Sequence, residues 1–569
     1  MKKWKGLIIC FVVMSLLLTM AGCGKNDDSE GTASDQKGKE TETAQNENEG
    51  NKTDVQNKEN EKNQSGEPMK LHLLGPDRTG TIKFADREKY PVWQELQKLI
   101  DSQNLELEYE IVPAEQYDVV IQTRMAAASD LPDIVNVSPL DDTTVLNLAK
   151  QKVILELNSL VSQCSNGNIK KMYNEDFPYA KQLTTSVDGH MYWFSNLHNK
   201  LYKNSEPAPV ALTMSLRKDW LEKLNIPVPA TTEEYFNALK EMRDKDANDN
   251  GQKDEIVIYD PSGFGNIAQW FGLGTNITAV DIENKKVVSP WYQDGVKEYF
   301  KYVQKLIDAE LIDTSLFGAA NEEIQQKITE NKAASIGQYN LSIIEDSLIE
   351  NGGEYLPLMP LKAVDGIEPA ATLEPPFLVW KKYAITKNCR NPKAAIAFFD
   401  IVYSEEYADL LYWGIKDLTY TEDADGIKTF KDITGSFDEK QADSGKATGQ
   451  VVFGGTMFPR VQFANLEYEL AVVPDYRAKH QLDIMKYKPY YVNMNQNYLA
   501  IPNDEQLEEK TRILNDLTTY STELATKLAL KQKSLDDWDT YRKELKELGL
   551  DKLIEIDQAL LDRYFKLEK

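Results

Sequence analysis

The sequence predicts an α/β fold built from two lobes. Apolar residues at helical spacing over 92–100 lie between a short strand at 70–74 and an alternating strand at 105–111, which is a β-α-β pattern. A continuous apolar strand follows at 131–137, as expected inside a parallel sheet that is covered on both faces. A similar pattern starts again after Phe194, which indicates a second lobe.

The first 22 residues have the three regions of a secretory signal peptide. A basic start at 1–5 precedes an apolar run at 7–20, and two small residues then precede Cys23. As a helix the apolar run spans about 21 Å, well short of the ~30 Å hydrocarbon core that a membrane span must cross. We therefore expect residues 1–22 to be removed.

The stretch 23–67 is predicted to be a disordered linker. From residue 24 onward it is mostly polar and charged, with one branched aliphatic residue, Val55, and no aromatic residue. Such a composition cannot bury enough apolar surface to offset its ordering entropy. Its flexible reach of roughly 35 Å would let a folded body work at a distance from the membrane.

The composition of the chain limits its partners. The chain is 41% apolar and 10% aromatic, which supports packed cores in the body at 68–569. A formal charge of −26 excludes nucleic acid and anionic membrane surfaces, because both are bound by clustered Lys and Arg. After export, Cys164 and Cys389 remain in the body, and we expect two buried free thiols, although export permits a disulfide.

The remaining elements follow in order along the body. A second helix at 117–125 leads to the strand at 131–137, and a strand at 210–216 leads into a helix at 217–224. Thr231-Thr-Glu-Glu234 is a capping box that begins another helix. Further helical stretches are predicted at 291–309, 392–411, 504–531 and 535–569. No Pro/Gly/Ser-rich boundary separates the lobes, which suggests that the chain crosses between them more than once.

Five segments of the body match a known family in residues and in order. They are Ala126-Ala-Ala-Ser-Asp-Leu-Pro-Asp-Ile-Val135, Val187-Asp-Gly-His-Met-Tyr-Trp-Phe194, Leu216-Arg-Lys-Asp-Trp-Leu221, Asn225-Ile-Pro-Val-Pro-Ala-Thr231 and Tyr412-Trp-Gly-Ile-Lys-Asp417. The chain thus resembles the extracellular solute-binding proteins of carbohydrate ABC importers, which include maltose-binding and alginate-oligosaccharide-binding proteins. The resemblance implies a two-lobed periplasmic-binding-protein-like fold of type II, with a hinge and an interlobe cleft. It places 68–192 and about 372–420 in the first lobe, and 193–371 and about 421–569 in the second.

The resemblance also implies a function and a location. Proteins of this family capture a sugar or oligosaccharide between their lobes and deliver it to the permease subunits of an ABC importer. Met20-Ala21-Gly22-Cys23 resembles the bacterial lipobox, in which the cysteine is acylated. We therefore expect a monomeric lipoprotein anchored through lipid on Cys23 at the extracytoplasmic face of the cell membrane.

The sequence gives little support for catalysis. It contains no H-E-x-x-H, G-x-S-x-G, P-loop or C-x-x-C motif, so we expect no enzymatic activity. Two alternatives stay open. One is a surface-tethered polysaccharide-degrading enzyme, because the pairing of catalytic carboxylates is spatial. The other is a ligand-presenting subunit for a membrane sensor, which would use the same closure.

The candidate sugar-binding residues are aromatic platforms and polar groups at strand ends, because sugars present flat C–H faces ringed by hydroxyls. Trp193 lies at the predicted lobe crossing, and Trp270 lies in a Gly-rich stretch that we expect outside a core. Gln338 and Tyr339 follow a strand that resembles the family's ligand-contacting strand. The full set is Asp77, Arg78, Ser138, Asp141, Trp193, Trp270, Gln338, Tyr339, Trp380, Tyr412 and Trp413. Each aromatic residue could instead fill a core, and each of the aspartates, Arg78 and Ser138 could be a turn residue or a helix cap.

The segment 246–255 has the order of an EF-hand calcium loop. Oxygen-bearing side chains stand at loop positions 1, 3 and 5, and Gly251 stands at position 6. Position 12 is Val257, so we expect Glu255 to close the shell instead. The predicted ligands are Asp246, Asn248, Asn250, Gln252, Asp254 and Glu255. Hard oxygen donors favour Ca²⁺ as a structural ion, and the alginate-binding relatives carry a similar loop; the alternative is a solvated acidic turn.

Overall fold

The computed structural model describes residues 67–77, 84–177, 179–199, 211–319, 321–337, 353–370, 372–373, 377–424, 426–431, 448–449, 461–462, 482 and 498–567. The part of the chain from Glu67 onward forms one folded unit. The predicted signal peptide, Cys23 and all but the last residue of the predicted linker lie outside the described residues.

The first sheet has six strands with mixed directions. In spatial order they are Val461–Gln462, Phe194–Asn199, Phe377–Ile385, Ile134–Asn136, Met69–Asp77 and Leu105–Pro113. Met69–Asp77 is parallel to both of its neighbours, and Phe377–Ile385 is antiparallel to both of its own. Leu73 packs into one hydrophobic cluster and Leu74 into another, so apolar side chains cover both faces of the sheet.

Helices cover both faces of this sheet. They are Pro91–Ser102, Ala114–Ala127, Asp142–Lys150, Asn158–Cys164, Asn168–Lys171, Ala180–Thr184, Pro392–Val402 and Glu405–Tyr412, with a 3₁₀ turn at Phe84–Lys89 and a π turn at Met172–Asp176. The single helix predicted at 392–411 is wrong. The chain forms two helices because Ser404 caps the second one, its Oγ accepting a hydrogen bond from the Tyr407 N–H at 3.1 Å.

A second sheet has four strands. Its strands, in spatial order, are Tyr355–Pro357, Met214–Arg217, Ala333–Gly337 and Ile256–Val257. The predicted capping box is confirmed, because Thr231 Oγ1 accepts the Glu234 N–H and the Glu234 carboxylate accepts the Thr231 N–H. That cap fixes the start of the helix Thr232–Asp244, which packs its buried face against the second core.

The elements around the second sheet include the three long C-terminal helices. The helices are Lys218–Leu224, Thr232–Asp244, Asn266–Gln269, Val296–Asp308, Asn321–Thr329, Asp504–Ala529, Trp538–Glu547 and Leu550–Leu567, with 3₁₀ turns at Pro261–Gly263, Pro290–Tyr292, Thr314–Leu316 and Leu535–Asp537. Two-stranded pairs join Ala211–Leu212 to Thr372–Leu373 and Ala279–Asp281 to Lys286–Val288. A third pair, Tyr420–Glu422 with Lys428–Phe430, packs against the core of the first sheet instead. Among the residues described, none of the helices combines the length and the apolar character that crossing a bilayer requires.

The first sheet contains two strands that the predicted boundaries assign to the second lobe. Phe194–Asn199 pairs with Phe377–Ile385, with Leu197 opposite Val379. Val461–Gln462 adds beside it as a parallel edge strand. Both pairings join segments far apart in sequence, so the local pattern of each strand did not reveal its sheet. The other boundaries of the lobes stay predictions.

The two body cysteines differ in accessibility. Both are free thiols; Cys164 is half-buried at the end of its helix, whereas Cys389 is buried. Burial raises the pKa of the Cys389 thiol to about 12, and only the thiolate is strongly nucleophilic. We expect iodoacetamide at neutral pH to alkylate Cys164 first, and Cys389 only after denaturation. Peptide mass spectrometry without a reducing agent checks this, and a peptide linking Cys164 to Cys389 would contradict it.

Candidate functional site

A polar corner lies at the carboxyl end of the buried strand Ile134–Asn136. Ser138 donates its N–H to Asn136 Oδ1 at 3.0 Å, and Ser138 Oγ accepts the Lys382 N–H at 2.8 Å. Lys382 is held at this level because Tyr383 pairs with Asn136 in the sheet. The carboxyl ends of strands in open α/β sheets are where ligands bind, so this corner is the candidate sugar-binding site.

Asp141 acts as a helix cap at this corner. Its carboxylate begins the helix Asp142–Lys150 by accepting the N–H and the hydroxyl of Thr144, each at 2.8 Å. Burial acts to raise the pKa of Asp141, but the hydrogen bonds from Thr144 outweigh it and hold the pKa below its usual value. The cap therefore keeps a negative charge beside the corner at neutral pH.

A lysine and a tryptophan complete the corner. The Lys382 ammonium forms an ion pair with Asp142 and lies 5.8 Å from the ring centre of Trp193. Trp193 is only 4% exposed and belongs to a hydrophobic cluster of the first lobe. Its role as a sugar platform stays a prediction, because in this structure most of its ring packs against protein.

Trp270 lies in the second core. It is 2% exposed, and its ring packs edge-on against Tyr235 with centroids 5.0 Å apart. The surrounding Gly-rich stretch is packed closely, because a side chain at Gly295 would meet the Phe271 carbonyl oxygen at 1.9 Å. The expectation that this stretch lies outside a core is therefore wrong. Trp270 is a core residue although the backbone around it is irregular. The packing gives no support for its predicted contact with sugar.

The pair Tyr412 and Trp413 also lies among core residues. Both are buried in the main cluster of the first lobe, and Trp413 stacks on Phe430 with ring centres 4.7 Å apart. This arrangement favours the packing interpretation of the two residues. Trp380 lies in the strand Phe377–Ile385 opposite Asn196, and its side chain is outside the described part.

The other predicted sugar-binding residues lie at or beyond the edge of what the structure describes. Asp77 is the last residue of the strand Met69–Asp77, where it pairs with Pro113 and is half-buried. Arg78, Gln338 and Tyr339 fall outside the described residues. The sites predicted for these three residues therefore stay predictions.

The predicted calcium loop folds back on itself. Asp246 accepts the backbone N–H groups of Asn250 at 3.0 Å and Gly251 at 2.8 Å. Asp254 Oδ1 accepts the side-chain amides of Asn248 at 3.2 Å and Asn250 at 3.0 Å. Gly251 has φ +80°, a left-handed conformation that glycine adopts without strain. The turn thus brings the start and the end of the loop together.

Two carboxylate oxygens of this loop are buried and accept no hydrogen bond. Glu255 is fully buried, and while its Oε1 accepts the Asn248 N–H at 3.2 Å, its Oε2 accepts none. Asp254 Oδ2 is in the same situation, with the Lys332 ammonium 3.4 Å away as an ion-pair partner. Burial raises the pKa of Glu255. Buried anionic oxygens without donors fit a hard cation. Gln252 joins the loop through its N–H, which donates to Asn250 Oδ1 at 2.7 Å.

The sequence analysis did not predict two residues of these sites, Lys382 and Lys332. Lys382 follows Lys381, whose φ of +64° marks a bulge in the strand Phe377–Ile385. Two adjacent lysines inside an otherwise apolar and aromatic strand are the signal that could have revealed it. Lys332 contacts the predicted calcium loop from a distant part of the chain, and no local pattern indicated that contact.

Comparison with known proteins shows the family of the chain. The model of the bacterial extracellular solute-binding protein family matches residues 86–409, which is more than half of the chain. The fructooligosaccharide ABC transporter substrate-binding protein FusA of Streptococcus pneumoniae serotype 4 is 26% identical over 451 residues, covering 77% of this chain and 81% of that protein.

Solved structures give the fold. The S. pneumoniae FusA EF-hand mutant in complex with fructo-nystose has a TM-score of 0.69 at 23% identity, covering 87% of this chain and 99% of that chain. The alginate-binding protein AlgQ2 without calcium ion has a TM-score of 0.63 at 19% identity, covering 88% and 99%. These likenesses confirm the predicted two-lobed α/β fold. With the family match over its body, the chain belongs to the bacterial extracellular solute-binding protein family.

Proposed function

We propose that this chain captures an oligosaccharide between its two lobes and delivers it to the permease of an ABC importer. The observation that carries the proposal is the 26% identity, over 77% of the chain, to a substrate-binding protein that is named for fructooligosaccharide transport. A ligand that contacts both lobes binds the closed form better than the open form and so shifts the equilibrium between them. The closed form is then the species that a permease would recognise.

The charge of the protein favours a neutral ligand. A formal charge of −26 repels polyanions such as alginate or polygalacturonate at long range. The polar corner suits hydroxyl groups, because the Lys382 ammonium donates and the Asp142 carboxylate accepts hydrogen bonds. We therefore propose a neutral oligosaccharide of the fructooligosaccharide class as the ligand.

Calorimetry with an oligosaccharide panel tests this function. Kestose and nystose are expected to bind, whereas maltooligosaccharides and alginate oligosaccharides are expected to bind weakly or not at all. The bound sugar should be recovered intact by chromatography, and small-angle scattering should show a smaller radius of gyration when it binds. Hydrolysis of the sugar would favour a tethered enzyme, and no binding or closure with any neutral sugar would overturn the proposal.

A pair of lysine variants locates the site within the same experiment. Lys382→Met is expected to weaken sugar binding by about tenfold to a hundredfold, because a charged hydrogen bond contributes about 1.5–3 kcal/mol. Lys387→Met is the matched control, since Lys387 is exposed just beyond the same strand. Equal affinities for the two variants would place the sugar away from the polar corner.

We also propose that lipid on Cys23 holds the mature protein at the extracytoplasmic face of the membrane. The support is the lipobox-like Met20-Ala21-Gly22-Cys23 directly before a polar linker. Two or more acyl chains anchor stably, whereas one holds only marginally. Membrane fractionation of the wild type beside Cys23→Ser tests the anchor.

The loop at 246–255 is proposed to bind a structural calcium ion. The support is the all-oxygen donor set and the buried oxygens of Asp254 and Glu255 that accept no hydrogen bond. Within the described residues, no three Asp, Glu, His or Cys side chains converge on one point. A cation here therefore depends on the amide oxygens of Asn248 and Asn250 as well as on carboxylates. When bound, the ion supplies positive charge that compensates the buried carboxylates and ties the loop together.

A further inference from the structure

Hydrogen bonds of both backbone groups of Lys332, its N–H and its carbonyl oxygen, hold this residue beside the calcium loop. Its N–H donates to the Lys327 carbonyl oxygen at 3.2 Å, and its own carbonyl oxygen accepts the Ile256 N–H at 2.8 Å. The preceding residue, Asn331, accepts the Asn248 side-chain amide at 3.1 Å through its carbonyl oxygen. The position of the lysine beside the loop is therefore part of the fold and does not depend on a flexible surface segment.

The ammonium group of Lys332 bridges two carboxylates. It lies 2.9 Å from Glu330 Oε2 and 3.4 Å from Asp254 Oδ2. The side chains of Lys332 and Asp254 are 26% and 21% exposed, so solvent screens their interaction less than that of a surface pair. Asp254 Oδ2 accepts no hydrogen bond, which leaves the ammonium as the cation that compensates this oxygen.

The neighbouring lysines are paired with residues that are not predicted ligands. Lys223 forms an ion pair with Asp249 at 2.7 Å, and Lys253 forms one with Asp244 at 3.1 Å. Lys332 differs from both because its partner, Asp254, is a predicted calcium ligand. One carboxylate therefore faces two possible cations, the lysine and the metal.

We propose that Lys332 is a built-in counter-cation of the calcium loop, which pairs with Asp254 when the loop is metal-free and weakens calcium binding. This inference rests on the proposed calcium site. The repulsion between an ammonium and a divalent ion that share one carboxylate corresponds to roughly tenfold in affinity even in water-like surroundings. The lysine would thus shift the loop toward the weaker affinities of extracellular calcium modules, which are about 10⁻⁴–10⁻³ M.

Calcium titration of Lys332→Gln beside the wild type tests the proposal. We expect calorimetry on residues 24–569 to show about tenfold tighter calcium binding for Lys332→Gln. Without calcium, this variant is expected to melt below the wild type, because Asp254 has lost its cationic partner. With saturating calcium, the gain in melting temperature should exceed that of the wild type. Lys332→Arg keeps the charge and is expected to keep the affinity of the wild type within a few-fold.

Lys253→Gln is the matched control, because it removes the same charge from the loop itself without touching a predicted ligand. We expect its calcium affinity to stay within about twofold of the wild type, since an exposed charge is screened. If Lys332→Gln and Lys253→Gln increased the calcium affinity equally, the effect would come from net charge alone, and the proposal would be overturned. Unchanged binding in Lys332→Gln would overturn it while leaving the calcium site intact.

The calcium site and the role of the lysine fail in distinguishable ways. If neither the wild type nor Lys332→Gln binds calcium, the proposed calcium site falls and this inference falls with it. If only Lys332→Gln binds calcium, the lysine replaces the metal in the natural protein. That outcome supports the counter-cation and corrects the proposal that the wild type holds calcium.

Discussion

Chelating calcium is expected to lower the melting temperature of this protein by roughly 5 to 10 °C. An ion that binds the folded loop and not the unfolded chain stabilises by about 2.7 kcal/mol at a free concentration of 100 times its Kd. For a lobe of this size, 1 kcal/mol corresponds to about 2–4 °C. Thermal unfolding of residues 24–569 with excess calcium chloride or with EGTA measures the difference. Equal melting temperatures would identify the loop as a solvated turn.

Asp246→Ala is expected to abolish this calcium-dependent difference. The Asp246 carboxylate accepts the N–H groups of Asn250 and Gly251, so the variant also loses stability without calcium. The informative quantity is therefore the difference between the two conditions. Asp249→Ala is the matched control, because Asp249 stands in the same loop, is 80% exposed and pairs with Lys223. A calcium-dependent shift that survives in Asp246→Ala would place the ion elsewhere.

The sequence predicted the features that depend on neighbouring residues. The first β-α-β unit is present as Met69–Asp77, Pro91–Ser102 and Leu105–Pro113. The capping box at Thr231 and Glu234 is formed as expected. Both rest on side-chain periodicity or on hydrogen bonds that span a few residues, so the information lies within a short window of sequence.

Features that depend on distant residues could not be predicted in the same way. The sequence of the strand Phe194–Asn199 does not indicate that its partner in the sheet is Phe377–Ile385. The polar corner forms because the second of these strands also brings Lys382 next to Ser138. The ion pair between Lys332 and Asp254 likewise joins two separate segments. Pattern within one segment carries no information about which other segment it meets.

The sequence also does not distinguish a tryptophan that fills a core from one that binds sugar, and Trp270→Ala tests which role Trp270 has. The substitution is expected to lower the free energy of unfolding by about 3–5 kcal/mol, because it removes a large side chain from a core that is 2% exposed at this position. The loss is expected to be of that size because Tyr235 packs edge-on against the indole, and the backbone is closely packed around Gly295. Urea denaturation measures the change. Calorimetry below the melting temperature should give an unchanged sugar affinity.

Trp220→Ala provides the reference for a tryptophan that packs in the core and is not a predicted sugar contact. Trp220 is 3% exposed in the same cluster as Trp270, and the Arg217 guanidinium lies 4.0 Å from its ring centre. If Trp270 serves packing, the two variants lose comparable stability and keep the same sugar affinity. If Trp270 is a sugar platform, its variant instead loses sugar binding while melting close to the wild type. That second result would mean that the sugar-bound state exposes an indole that this structure buries, and the cleft would then have to include the Gly-rich stretch.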